Sequence, residues 1–385
     1  MRASKRPRGK QSYWESIIFL VIIGVPFYFV GSRMGLSNFF NTIMHTAHQL
    51  LLNTVFFIMA IAVLTGALGA LLSEFGVLDL LNRFLSILMK PLYDLPGAAA
   101  MGALTCYLSD NPAILSLAHD KCFRRFFKRY QIPALTNLGT SFGMGLIVTT
   151  FMMGQGSGFA RAALLGNLGA FVGSIVSVRL MLISTKQLFG TDAWATEVAA
   201  TEADEQVNGA GAAPQRSAAS RALDALLEGG QRGVDLGLAV IPGVLIICTI
   251  VLMLTNGPSP EGVYTGAAFE GIPILPWLGQ KISFITKPLF GFQSAEAIAF
   301  PITALGAVGA ALSLVPAFLA KGLIGGNEIA VFTAIGMCWS GYLSTHIAMM
   351  DALECRELTS KAIFAHTIGG IVAGMVAHFA FLWLG

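Results

Sequence analysis

Apolar residues run without long interruption at about 16–31, 50–72, 132–153, 161–184, 234–255, 294–320, 325–350 and 361–384. A helix rising about 1.5 Å per residue needs about 20 such residues to cross a hydrocarbon layer about 30 Å thick. The pattern therefore predicts an all-α fold, a polytopic membrane helical bundle of about eight spans. Two stretches follow the pattern differently. Gly76 to Leu95 is apolar at helical spacing but carries Asp79, Arg83 and Lys90, which predicts a helix lying in the interface. Ala98 to Ala118 is apolar but interrupted by Ser109-Asp110-Asn111-Pro112, where proline removes a backbone donor and biases Asn111 away from helical geometry.

Basic residues set the expected orientation. Arg2, Lys5, Arg6, Arg8 and Lys10 precede the first apolar run, and no small-residue cleavage site follows it at Gly31-Ser32-Arg33-Met34. This reads as an uncleaved start with the N-terminus in the cytoplasm of a multi-pass inner-membrane protein. Lys121, Arg124, Arg125, Lys128 and Arg129 form the strongest further cytoplasmic signal. Two spans return the chain to that side before residue 98, so 98–118 must enter and leave on one face as a re-entrant or broken helix. Counting the remaining runs as single spans puts 186–233 inside, 354–361 outside and the C-terminus inside.

The domain plan is a basic tail (1–15), a first membrane half (16–185), a disordered cytoplasmic linker (186–233) and a second membrane half (234–385). The linker is inferred from composition, since Thr196 to Ala219 holds few large apolar residues. Short patches relate the halves. Tyr107-Leu108-Ser109 recurs as Tyr342-Leu343-Ser344, and Lys90-Pro91-Leu92-Tyr93 recurs as Lys287-Pro288-Leu289-Phe290. Aligning both pairs requires an inserted helical hairpin in the second half. The first Tyr-Leu-Ser is followed by a basic stretch and the second by Glu354-Cys355-Arg356-Glu357, so an inverted repeat is expected.

Composition agrees with a membrane domain: 55% of residues are hydrophobic and only 12% charged. The cysteines at 106, 122, 248, 338 and 355 are odd in number and form no CxxC, which supports neither a disulfide framework nor a metal site. The chain contains no GxxxxGK[ST], HExxH or GxSxG pattern, so neither enzymatic activity nor a cofactor is expected, and no nucleic-acid partner either. The expected partners are the lipid bilayer, a small polar solute or ion, and a second copy or another membrane subunit.

Polar side chains at membrane depth are costly and mark candidate sites. Ser109, Asp110 and Asn111 sit at the proline break; Ser344, Thr345 and His346 occupy the aligned positions in the second half. Thr136, Asn137, Thr140 and Ser141 make a stripe at helical spacing. Of these, Ser109, Asp110, Asn111, Asn137, Thr140, Ser141, Ser344, Thr345 and His346 form the expected solute site. Glu296, Asn327 and Glu328 open apolar helices and are candidates for ion coupling, although a carboxylate at a helix N-terminus also serves as a cap.

The run Tyr107-Leu108-Ser109-Asp110-Asn111-Pro112-Ala113-Ile114, the run Ala297 to Gly306 and the run Ser340 to His346 resemble the Gate-domain (nucleoside-recognition) membrane proteins. That family groups with spore maturation membrane proteins, the membrane half of ferrous iron transporter B and concentrative nucleoside transporters. The resemblance implies a transporter or permease for a small polar solute, nucleoside-like or ionic, without an ATPase of its own. The chain departs from the iron transporters by having aspartate at 110 where they carry cysteine, and by lacking a GTPase. The alternative reading is a non-transporting membrane subunit that docks a cytoplasmic partner.

Overall fold

A computed structural model describes residues 11–109, 114, 117, 118, 121–195 and 217–385. Among them every regular element is helical, and six helices are long and apolar enough to cross a membrane: Tyr13–Met34, Leu36–Glu74, Arg129–Met153, Phe159–Phe189, Ala218–Thr255 and Arg356–Leu384.

After α1 (Gln11–Met34), one series of elements is laid down twice. The first series begins with α2 (Leu36–Gln49) and α3 (Phe56–Glu74), joined through a π turn at Leu50–Val55. It continues with amphipathic α4 (Val77–Leu88), then α5 (Ala99–Leu108), the broken pair α6 (Ala134–Phe142) and α7 (Gly145–Met153), and long α8 (Phe159–Phe189). The second begins with α9 (Ala218–Gly243) and α10 (Thr249–Thr255), joined through a π turn at Val244–Cys248. It continues with α11 (Ile274–Phe290), then α12 (Ala299–Ala304) and α13 (Val308–Ala320), the broken pair α14 (Gly326–Cys338) and α15 (Tyr342–Ala352), and long α16 (Thr359–Leu384). Helix α9 starts within the stretch expected to be linker, with the Ser217 hydroxyl accepting from the Ser220 amide; residues 196–216 lie outside the described residues.

The Lys-Pro-Leu-aromatic match marks true equivalents. Each copy ends the amphipathic helix, and each is followed by a left-handed residue, Asp94 at φ 55° and Gly291 at φ 69°. The Tyr-Leu-Ser match does not. Tyr107 lies near the end of α5, whereas Tyr342 opens α15, the second half of a broken helix. Aligned by elements the halves need no inserted hairpin, because α5 corresponds to α12 and α7 to α15.

The halves are related by inversion. Helices α8 and α16 cross antiparallel through small residues that let the backbones touch. Gly169 faces Ala373 and Ala377, while Gly369 faces Gly173 and Ser177. Exchanging Gly169 with Gly369, Gly173 with Ala373 and Ser177 with Ala377 turns one set of contacts into the other. A second small-residue pair, α3 against α9, meets at Gly66–Gly229 and Ala62–Gly233 and stands beside this core.

Side chains at the helix ends fix which loops share a membrane face, and they overturn part of the expected topology. The 294–320 run is not one span. It breaks at Leu305-Gly306-Ala307, and α13 returns to the side from which α12 came. Both ends are held on that side: the Glu328 carboxylate accepts from the Gln293 amide, and Lys321 donates to Asn256 at the end of α10. One crossing is thereby removed, so everything after it changes sides. Residues 353–358 accordingly pack with the basic loop, where Leu353, Cys355 and Leu358 share an apolar cluster with Phe123 and Phe127. Burial pushes the Cys355 thiol up to about 11, Glu357 adds to this, and the neighbouring Arg124 and Arg129 oppose it. The C-terminus ends on the opposite face, where Phe381 meets Gly326. The expectation of 354–361 outside with the C-terminus inside is therefore corrected: 354–361 shares the face of 121–129, and the C-terminus does not. The runs 132–153 and 325–350, expected as continuous helices, are both broken in the middle.

Candidate functional site

Two interrupted helices, the arm α5 and the hairpin α12–α13 converge on one another. Helix α6 stops at Phe142 because Gly143 turns extended and Met144 adopts φ 56° before α7 begins. Helix α14 stops at Cys338, and the chain passes Trp339 and Ser340 to Gly341 at φ 68°, a conformation that suits glycine, before α15 begins. Backbone groups freed at such breaks must be satisfied by side chains when they lie at membrane depth.

On the first break, the Tyr107 ring lies across Gly145 at the start of α7, filling the place a Cβ would take. Its hydroxyl donates to Asn167 Oδ1 at 3.0 Å, and Asn167 Nδ2 donates to the Thr149 hydroxyl at 2.8 Å. On the second break, Tyr342 itself opens α15 and its hydroxyl bonds the Thr367 hydroxyl. Thr367 follows Asn167 under the exchange that relates α8 to α16, so each half holds its broken helix to its long helix by a tyrosine hydroxyl.

A buried polar chain links the two broken helices. Asn137 Nδ2 donates to the Ser177 hydroxyl at 2.9 Å and to the Ala362 carbonyl at 3.0 Å. Ser177 meets His366 Nδ1 at 2.9 Å, and His366 Nε2 donates to the Cys338 carbonyl at the end of α14. That carbonyl fixes the tautomer: Nε2 carries the proton and Nδ1 accepts from Ser177. The His346 ring lies 4.6 Å from the His366 ring, centroid to centroid, and its Nδ1 donates to the Tyr342 carbonyl at 2.6 Å. Thr140, one turn along α6 from Asn137, faces His346 Nε2 at 3.5 Å while its hydroxyl donates to the Thr136 carbonyl at 2.8 Å. Ser141 donates to the Asn137 carbonyl at 2.7 Å. Asn137 Oδ1 and Thr136 Oγ1 are buried and unpaired among the described residues.

Of the expected solute site, Asn137, Thr140, Ser141 and His346 are thus brought together in one buried set. Thr345 lies beside them half-buried, and nothing is described of the Ser344 side chain. Asp110 and Asn111 lie outside the described residues. Ser109 ends α5 and lines a cleft of about 520 Å³ between the α3–α9 pair and the α5–α7 unit, with Ser73, Thr105, Arg232 and Asp235.

The three candidates for ion coupling are not at the breaks. The Glu328 carboxylate accepts from the Gln293 and Gly325 amides, both at 3.0 Å, which caps α14 and ties down the hairpin entrance. Asn327 Nδ2 donates to the Phe290 carbonyl at 2.9 Å, and its Oδ1 accepts from His378 Nδ1 at 2.7 Å. Glu296 is half-buried on the short turn Ala295–Ile298 that opens the hairpin.

Tyr107, Asn167, Ser177, Tyr342, His366 and Thr367 belong to the polar network and were absent from the sequence expectation. Tyr107 and Tyr342 were visible as the first residues of the two Tyr-Leu-Ser runs, while Asn167, Ser177, His366 and Thr367 showed only as isolated polar residues on α8 and α16, which read equally as interhelical packing.

No family model and no curated protein matches the chain. The fold is that of CNTnw. A double variant of that protein in an outward-facing state aligns with a TM-score of 0.55 at 16% identity, covering 98% of this chain and 88% of the other. CNTnw in an inward-facing substrate-bound state aligns with a TM-score of 0.55 at 14% identity, covering 96% and 87%. A third structure, a single variant in an intermediate state, aligns with a TM-score of 0.54 at 14% identity over 96% and 85%.

Proposed function

We propose that the chain is a secondary transporter that carries a small polar, nucleoside-like solute across the cell membrane. The observation that carries this reading is the pair of inverted broken helices stapled to each other by side chains, beside a separate pair of small-residue-packed helices with a partly polar cleft between them. Inverted repeats with interrupted helices at mid-depth are the general plan of carriers that expose one site alternately to two faces. That CNTnw, of the same fold, is solved in outward-facing, intermediate and inward-facing states supports the reading. The resemblance to Gate-domain proteins and concentrative nucleoside transporters points to the same solute class.

In this reading the cleft is the access path from the face bearing the basic loop. Thr105 and Ser109 offer hydroxyls on the repeat side, and Arg232 and Asp235 offer a cation and an anion on the α9 side. Paired opposite charges at a mouth favour a neutral, hydrogen-bonding solute over a strongly charged one. By the excess of basic residues in its loop, Arg124, Arg125, Lys128 and Arg129, that face is the cytoplasmic one.

The test is uptake into liposomes holding the purified chain, using a panel of nucleosides, nucleobases and small metabolites under sodium, proton or no ion gradient. Saturable uptake of a nucleoside supports the reading. Failure of every solute under every gradient overturns it.

A further inference from the structure

Helix α1 is fastened to the rest of the protein at one end only. Gly31 and Met34 are buried, and Met34 packs with Phe39 of α2 and Met253 of α10. From Tyr13 to Phe29 every residue of α1 is exposed. A groove of about 500 Å³ runs between this free length and α10 with the π turn before it. Ile22 and Phe27 of α1, Phe39 and Ile43 of α2, and Ile246 and Ile250 on the far side form its walls. Among the described residues Thr249 is the only polar liner, and its hydroxyl is buried away from the opening. The walls give a polar solute no side chain to bond, so the occupant at this depth is hydrocarbon.

The groove has a length and a direction. It begins near the end of α10, where Lys321 donates to Asn256 on the face away from the basic loop. From Leu254 to Leu245 it descends about 14 Å at the helical rise, close to half of a hydrocarbon layer about 30 Å thick. That is the depth of one leaflet. On α1 the liners Ile23, Pro26 and Val30 follow helical spacing, and the next position of the stripe is Arg33. Arg33 is exposed, lies close enough to Tyr264 to act on it electrostatically, and has no ion pair among the described residues.

We propose that this groove binds one phospholipid of that leaflet, with an acyl chain between α1 and α10 and the phosphate on the Arg33 guanidinium. Charge complementarity selects the headgroup, because an unpaired guanidinium matches a phosphate with two parallel hydrogen bonds. The acyl chain supplies the apolar contacts that α1 lacks before Val30, and the lipid thereby completes the seating of this helix. The site is independent of whether a solute is transported.

The experiment is native mass spectrometry of the full chain in detergent, after addition of phosphatidylglycerol, phosphatidylethanolamine or diacylglycerol. Either phospholipid is expected to be retained at one copy per chain, and diacylglycerol, which has no phosphate, about tenfold less. Arg33→Gln should lower phospholipid retention about threefold to tenfold. Ile246→Trp and Ile250→Trp fill the groove from exposed positions, which spares the fold, and both should abolish the bound copy. Leu164→Trp, comparably exposed on α8 and outside the groove, should keep it. No retained phospholipid, equal retention of diacylglycerol, or an unchanged bound copy in Arg33→Gln or in both groove variants overturns the proposal. A dimer that Ile250→Trp converts to monomer overturns it too, because a second copy of the chain is then the occupant.

Discussion

The Tyr107 ring occupies the space that a side chain at residue 145 would need, and its hydroxyl continues to Asn167. The arrangement connects α5, the second half of a broken helix and the long helix behind both. In the other half, Tyr342 reaches Thr367 from the broken helix itself. The same hydroxyl-to-long-helix contact is thus supplied by two non-equivalent tyrosines, one of which needs a glycine at the helix start.

Gly145→Ala should therefore destabilise the fold by about 1–3 kcal/mol, the cost of forcing a packed ring to shift. Tyr107→Phe keeps the ring and loses only the bond to Asn167, about 1 kcal/mol. Thermal unfolding in detergent, followed by size-exclusion recovery, should rank Gly145→Ala as the more damaging. The reverse order would mean that the hydroxyl, and not the packing, holds this junction.

The antiparallel crossing of α8 and α16 makes a sharper demand. A Cβ at Gly173 would run into the Gly369 backbone and the Ala373 side chain. Gly173→Leu should prevent recovery of monodisperse protein, while Gly158→Ala, in open space at the start of α8, should be recovered as wild type.

Asp94 gives a pH dependence with a definite sign. Burial raises its carboxyl, but hydrogen bonds from Lys186 and Lys90 more than offset this and leave it below the ordinary carboxylate value. A depressed folded-state value contributes stability that is fully present above the unfolded value of about 3.9 and is lost as pH falls through the folded value. With Lys90 largely exposed and Lys186 more than a third exposed, the contribution should be no more than about 1 kcal/mol. Asp94→Asn should remove it at neutral pH, and the melting temperatures of variant and wild type should converge in acid.

Membrane sidedness is open to direct measurement. Ser360 and Arg125 are both exposed, one beside the 354–358 turn and one in the basic loop. The cysteine of Ser360→Cys should react with an impermeant maleimide from the same side as that of Arg125→Cys, and the cysteine of Gly385→Cys from the opposite side. Labelling of Ser360→Cys from the side opposite to Arg125→Cys would restore a single crossing at 294–320 and remove the second hairpin.

In the transport reading, Thr105→Trp fills the cleft from the α5 side. Solute uptake should drop at least about tenfold with the thermal stability little changed, because the added ring enters open space and not the core. Unchanged uptake would move the access path elsewhere.

The sequence by itself determined that this is a helical membrane protein, because uncharged apolar runs of about 20 residues match the thickness of a bilayer. The Lys-Pro-Leu-aromatic pair marked equivalent positions in the two halves, but their inversion is read from the antiparallel crossing of α8 and α16, because the charge difference after the two Tyr-Leu-Ser runs compared segments that share one face. Only the tertiary structure decided that 294–320 is a hairpin. Its tip, Leu305-Gly306-Ala307, is apolar and packs beside Gly243 and Ile247, so no polar signal marks the turn; hydropathy alone cannot distinguish a helix that crosses from one that turns back inside the protein. The same limit hid part of the site: Asn137, Thr140, Ser141 and His346 were legible as polar positions in apolar runs, but their partners Ser177 and His366 were not. Thr140 and His346 are 206 positions apart, and His366 is a lone histidine on an apolar helix. They become one buried polar set only when inversion brings the broken helices together, because hydrogen-bond roles depend on which carbonyls are near, and that is settled by packing.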